Sequence, residues 1–182
     1  MVLNLLNIRI VLLLFLPVLL QAQQRAQLQV DSLRFVRDMP YICEGSIGCG
    51  DAYFWNVVRL KEAAIPYLLK KLTNTRRIEV SVPNFGGPYT VADVAYMALE
   101  EIIHGIPTFQ LLGVPFDEKG CGYCAYWRHL RNSRRNRMRF QKQVQQWYNR
   151  NKEHLVWVES NAFSTCDCFG KHPNGGHFEV RQ

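Results

Sequence analysis

The stretch Thr90-Val91-Ala92-Asp93-Val94-Ala95-Tyr96-Met97-Ala98-Leu99-Glu100-Glu101-Ile102-Ile103 decides the fold. Its apolar residues Val91, Val94, Ala95, Ala98, Leu99, Ile102 and Ile103 recur at steps of three and four. At about 100° per residue they cover roughly half of a helix surface, which is the pattern of a helix with one buried face. Thr90 is placed to cap the first turn, and Asp93 sets a carboxylate near the positive end of the helix dipole. Gly105 and Pro107 end the helix. Asp93, Glu100 and His104 fall opposite the apolar stripe and are expected on a solvated face, with a Glu100–His104 contact one turn apart.

Working outward toward the amino terminus, Ile78, Val80 and Val82 alternate with polar residues, so a short strand is expected over 76–82. Pro83-Asn84-Phe85-Gly86-Gly87-Pro88 is a loop by composition. Phe85 and Tyr89 in it either pack into a turn or stand free to hold a ligand such as a glycan. Upstream, Pro66 suits the first turn of a helix whose stripe is Ile65, Leu68, Leu69 and Leu72. Asp51 caps a helix over 52–61 with Phe54, Val57 and Val58 on one face. A short helix over 27–38, touching the core through Leu28, Leu33 and Phe35 or Val36, is closed by Pro40.

Toward the carboxyl end, residues 108–120 read as a connection with apolar anchors. A long helical stretch over 122–150 follows, with a break expected near Arg131-Asn132-Ser133. Residues 154–158 read as a strand or a buried end, and residues 177–180 are a candidate second strand to pair with them. The whole predicts a mainly α, compact domain with a small β element.

Residues 10–20 form an apolar run of eleven, preceded by Arg9 and followed by Ala22 and the polar Gln23-Gln24-Arg25. That is the layout of a secretory signal cut after Ala22. Eleven residues fall short of the roughly 20 needed to span a bilayer. The expectation is therefore a signal peptide over 1–22, a single domain over 23–182, and a periplasmic or secreted location without a transmembrane span. Losing residues 1–22 removes only Arg9 among the charged side chains, so the formal charge falls from +7 to +6. A basic exported chain favours an acidic protein, an anionic surface or an acidic glycan. Its compartment argues against nucleic acid.

The six cysteines, Cys43, Cys49, Cys121, Cys124, Cys166 and Cys168, fall in three close pairs. In an oxidising compartment the default is three disulfides. The expected arrangement ties Cys121 and Cys124 to Cys166 and Cys168 and closes Cys43 on Cys49. Two chemical alternatives stand beside it. Cys121-Gly122-Tyr123-Cys124 at a helix start can cycle a disulfide, because the helix amides stabilise a thiolate. Cys121, Cys124, Cys166 and Cys168, with His172 and His177 as substitutes, can form a tetrahedral zinc site.

Residues 64–72, Ala64-Ile65-Pro66-Tyr67-Leu68-Leu69-Lys70-Lys71-Leu72, and then Val91 to Ile102 resemble one HEAT-type helical repeat. The likeness rests on the Ile-Pro start, the Leu-Leu-x-x-Leu run, and Val91, Ala95, Ala98 and Leu99. Ala92 stands where that family usually has a basic residue, and residues 76–89 replace its short interhelical turn. The resemblance implies a HEAT-like helix pair inside a compact domain and a binding or scaffolding role, with no catalytic residues.

Between Arg128 and Lys152 there are nine Lys and Arg and no Asp or Glu. On a helical projection Arg128, Arg131, Arg135, Arg139, Lys142 and Arg150 share about a third of the surface. Tyr123, Tyr126, Trp127, Leu130, Phe140, Val144, Trp147 and Tyr148 lie across from them. Such a face is either solvated or binds an anion. Arg134 and Arg137 fall inside the apolar arc. They need acidic partners, for which Glu100, Glu101 and Asp117 are available, or else the helix breaks. Together these features point to an exported, non-enzymatic interaction or scaffold module. A metal or thiol-redox enzyme using the Cys/His tail and an exported inhibitor or immunity-type protein are the alternatives.

Overall fold

The computed structural model describes residues 21–40, 49–83, 85–118, 121–160 and 174–181. It is mainly helical with small two-stranded sheets, as the patterning requires. Residues 21–31 form α1, followed by a 3-10 turn over Ser32–Phe35. Then come α2 (Ala52–Val58), α3 (Ile65–Lys71), β1 (Arg77–Ser81), β2 (Pro88–Thr90) and α4 (Val91–Ile102). The chain continues through α5 (Thr108–Leu112), α6 (Cys124–Asn132), α7 (Arg134–Asn151), β3 (Leu155–Glu159) and β4 (Gly176–Val180). Among the described residues no helix is long and apolar enough to cross a membrane.

The local signals hold where side chains close their own backbone. Asp51 accepts from the Phe54 amide at 3.1 Å, and its second oxygen takes the Arg37 amide at 2.6 Å, joining α2 to the segment after α1. Thr90 and Asp93 form a reciprocal capping box: the Thr90 amide donates to Asp93 Oδ2 at 2.8 Å, and the Asp93 amide donates to Thr90 Oγ1 at 3.3 Å. Substituting Thr90→Ala is expected to cost about 1 kcal/mol, while Thr90→Ser stays close to the parent. Urea unfolding of both variants checks this.

The amino-terminal helix differs from its expected span. It is already formed at residue 21 and gives way to the 3-10 turn at Ser32, so its buried contacts are Ala26 and Val30, joined by Leu33 and Val36. Leu28, expected in the core, is exposed, and of the alternatives Phe35 and Val36 it is Val36 that is buried. Pro88–Thr90, read as the end of a loop, pairs antiparallel with β1, Arg77 opposite Thr90 and Ser81 opposite Pro88. The connection after Pro107 contains α5, closed by Gly113 in the left-handed conformation.

The predicted break falls at Ser133, whose extended backbone separates α6 from α7 and whose hydroxyl accepts from the Asn136 amide at 3.1 Å. The two late strands pair antiparallel, with Leu155 opposite Val180 and Glu159 opposite Gly176. Gly176 has φ of +154°, and a Cβ there would run into the Val158 carbonyl oxygen, so this register admits glycine alone. The hairpin docks on the end of α4 through the His104 amide, which donates to the Phe178 carbonyl at 2.9 Å.

The core is one continuous cluster centred on α4 and fed by α2, α3, α6 and α7. Phe54, Val57, Ile65, Leu68, Val94, Ala95, Ala98 and Ile102 are fully buried within it.

Candidate functional site

Two regions carry chemistry-bearing side chains. The first is a cleft of about 560 Å³ between α4, the turn after it, the end of β1 and the start of α6. The second is the outward face of α7.

The cleft is built from the side of α4 expected to face solvent. That expectation is corrected here. Asp93 is fully buried and pairs with Arg137, Nη1 to Oδ1 at 3.0 Å, with side-chain exposures of 0% and 4%. Ala92 and Tyr96 are buried with it. The reason is that α4 is central: α2 and α3 cover its apolar stripe, while Tyr126 and Phe140 from α6 and α7 close on Tyr96 from the other side. Arg137 therefore has an acidic partner, and it is Asp93 rather than Glu100, Glu101 or Asp117.

Farther along the same side, Glu100 lines the cleft. Its Oε1 accepts from Thr108 Oγ1 at 2.7 Å and from the Tyr123 hydroxyl at 3.1 Å. The Tyr96 hydroxyl lies 2.7 Å from Thr108 Oγ1, extending the network into the core. Burial pushes the Glu100 carboxyl up to about 7, against the lowering effect of the Thr108, Tyr123 and Tyr96 hydroxyls, and Glu101 adds a smaller upward push. Burial likewise holds the Tyr96, Tyr123 and Tyr126 phenols well above their ordinary range, so they stay protonated donors.

The anticipated Glu100–His104 pairing is replaced by two separate arrangements. Glu100 turns to the hydroxyls, while His104 stacks on His177 with ring centroids 3.5 Å apart. His177 Nε2 lies 2.8 Å from Glu179 Oε1, and its buried Nδ1 has no hydrogen-bond partner among the described residues.

Tyr89 is buried and meets Trp127 edge to face at 5.4 Å, and Phe85 lies under the Arg131 guanidinium at 4.9 Å. The Pro83–Pro88 loop is thus a turn with packed aromatics. Arg131 grips it, donating to the Gly86 and Pro88 carbonyls at 2.9 Å each.

No protein-family model, curated protein or solved structure matches this chain.

At the rim of the cleft, Cys121 and Cys124 are bonded to each other, with their Cα atoms 5.4 Å apart. The expected ties from these two to Cys166 and Cys168 are thereby replaced by a local bond. Gly122, with φ of +61°, turns the backbone so that the two cysteines face one another at the start of α6. A pair joined in this way offers no thiolates to the zinc arrangement. Cys49 is also disulfide-bonded. Cys43, Cys166, Cys168 and His172 lie outside the described residues. Among the described residues no group of three or more His, Cys, Asp or Glu is placed to hold a metal ion.

On the second region, Arg128, Arg135, Arg139, Lys142 and Arg150 are exposed. None of them forms an ion pair with a described residue. Of the six residues singled out as a basic face, Arg131 differs, because both of its terminal nitrogens are engaged by the loop backbone. Arg134 is exposed as well, since the break at Ser133 rotates it out of the apolar arc.

Proposed function

We propose that this chain is an exported, non-enzymatic interaction module that docks an acidic glycan along the outer face of α7. The observation that carries this reading is the row Arg135, Arg139, Lys142 and Arg150, all exposed on one helix that contains no acidic residue. Over fifteen residues the row runs about 22 Å, a linear set of cations matched to a linear polyanion. Met138 is the only large hydrophobic residue exposed on α7 among the described residues, so the face lacks the apolar flank that sinking into a lipid surface requires. The domain behind it is a rigid support, and the α3–α4 pair that resembles a HEAT-type unit is its scaffold.

Export is part of the proposal. Ala26 and Val30 of α1 join the core downstream of the expected cleavage after Ala22, so a processed chain keeps those contacts. The Cys121–Cys124 bond suits an oxidising compartment.

The test is retention of the mature chain on heparin as a model polyanion. Retention should fall steeply with salt. Arg135→Glu with Arg139→Glu should weaken binding at fixed low salt by about tenfold, roughly 1.4 kcal/mol. Unchanged retention of the double variant, or retention indifferent to salt, rules the reading out. Stronger association with anionic phospholipid vesicles than with heparin would move the face to a lipid partner.

A further inference from the structure

The α4–α6 cleft has a chemistry opposite to that of the α7 face. The protein is basic overall, with a formal charge of +7, yet among the described residues no Lys or Arg lines this cleft, and His104 is the one basic side chain on its wall. Glu100 and Glu101 line it. Glu100 forms no ion pair with a described residue, and its hydrogen bonds from Thr108 and Tyr123 both land on Oε1. Around the carboxyl the walls are apolar and aromatic: Val82, Met97, Ile106, Tyr123 and Trp127. The mouth carries a cluster of rings in which Tyr123 meets Phe109 at 5.2 Å and Phe116 at 6.3 Å, with Phe116 and Tyr123 partly exposed.

We infer that this cleft is a binding site for a small organic cation, an amine on an apolar or aromatic body, with Glu100 as its counter-ion. Three features converge on that class. A volume of about 560 Å³ suits a ligand of modest size. A carboxylate taken out of water without a protein cation beside it is costly, and a bound ammonium group relieves that cost. Tyrosine and tryptophan rings next to the carboxylate attract a cation and shelter its apolar body. An anionic ligand is disfavoured by Glu100. A neutral sugar would leave the carboxylate uncompensated. The raised proton affinity of Glu100 agrees with this picture, since burial is its main cause.

This inference does not depend on the α7 face, and its experiment reads a different part of the molecule. The processed chain is titrated calorimetrically at pH 8 with 2-phenylethylamine and with 2-phenylethanol, a neutral ligand of the same shape. A hexylamine and hexanol pair tests an aliphatic body. The amines should bind saturably and at least about tenfold more tightly than the alcohols, a preference of roughly 1.4 kcal/mol. Glu100→Gln should erase that preference, and a cooperative melt shows that the variant is folded. Glu100→Asp keeps the charge on a shorter arm and should retain the preference with weaker binding, so the test survives if the Gln variant fails to fold. Equal affinity for amines and alcohols, an undiminished amine preference in Glu100→Gln, or the absence of saturable binding by either amine overturns the assignment.

Discussion

Replacing Arg137 with methionine is expected to destabilise the fold by about 3–5 kcal/mol, because it strands a buried carboxylate. For a chain of this size that lowers the melting temperature by about 10 °C. Asp93 has no exposed surface, and Arg137 has almost none. After the substitution, Asp93 keeps the Thr90 amide on Oδ2 but loses the charge-assisted bond at 3.0 Å on Oδ1. The capping box and the buried charge are then in conflict, since the same carboxylate serves both. Arg137→Lys should fall between the parent and the methionine variant, because an ammonium keeps the charge but not the planar reach. The double variant Asp93→Asn with Arg137→Met should recover part of the loss, because no unpaired charge remains while the amide oxygen still caps α4. Urea unfolding of the parent, Asp93→Asn, Arg137→Met and the double variant gives the coupling energy directly. A double variant as unstable as the sum of the two single ones would show that the pair carries no charge coupling.

Much of the fold is legible in the sequence because it is written in local rules. Thr90 with Asp93, Asp51 before Phe54, Pro66 in a first turn and Ser133 at a break are each decided within four residues. For the late hairpin the sequence offers two short apolar segments, and the pairing of Leu155 with Val180 decides between a strand and a buried end. What escapes notice has short or weak local signals. β2 is three residues long and opens on a proline, so only its pairing with β1 defines it. α5 has five residues and no side-chain cap.

The deeper miss concerns α4. A helical projection finds one buried arc, and it labels everything opposite as solvated. That inference assumes a helix at the surface of a layer. Here α4 is covered on both sides, and its polar side becomes a second interior. Arg137 inside the apolar arc of the basic helix is the one clue visible in the sequence: a cation that must be buried requires a buried anion somewhere. The clue is sound, but the carboxylates considered for it, Glu100, Glu101 and Asp117, do not include Asp93, which pairs with Arg137 across 44 residues. The Glu100 network is harder still. Thr108 and Tyr123 lie eight and 23 residues away from Glu100, so no local spacing announces them.

The second large effect concerns Glu100 and pH. Its carboxyl is raised from an ordinary 4.5 to about 7, chiefly by burial. The folded protein therefore holds a proton, between those two values, that the unfolded chain has already released. The sign follows from linkage. This group favours the folded state fully below about 4.5, and the contribution is lost as pH rises toward 7. Its ceiling is about 3 kcal/mol, and solvent reaching the partly open cleft reduces that toward roughly 1–2 kcal/mol.

The groups facing Glu100 are Glu101 on its own helix, Thr108 at the start of α5, and the phenols of Tyr96, Tyr123 and Tyr126. Among them only Glu101 brings a second negative charge, and among the described residues His104 is the one basic side chain that lines the same cleft. Glu100→Gln keeps an oxygen for Thr108 and Tyr123 but never ionises. At pH 8 it should melt about 3–6 °C above the parent, and at pH 5 the gap should narrow to near zero. Comparing two proteins at each pH cancels the titration of every other carboxylate. A constant difference between them at both pH values would mean that Glu100 is ionised throughout. The cleft would then be open enough to water to need no ligand cation.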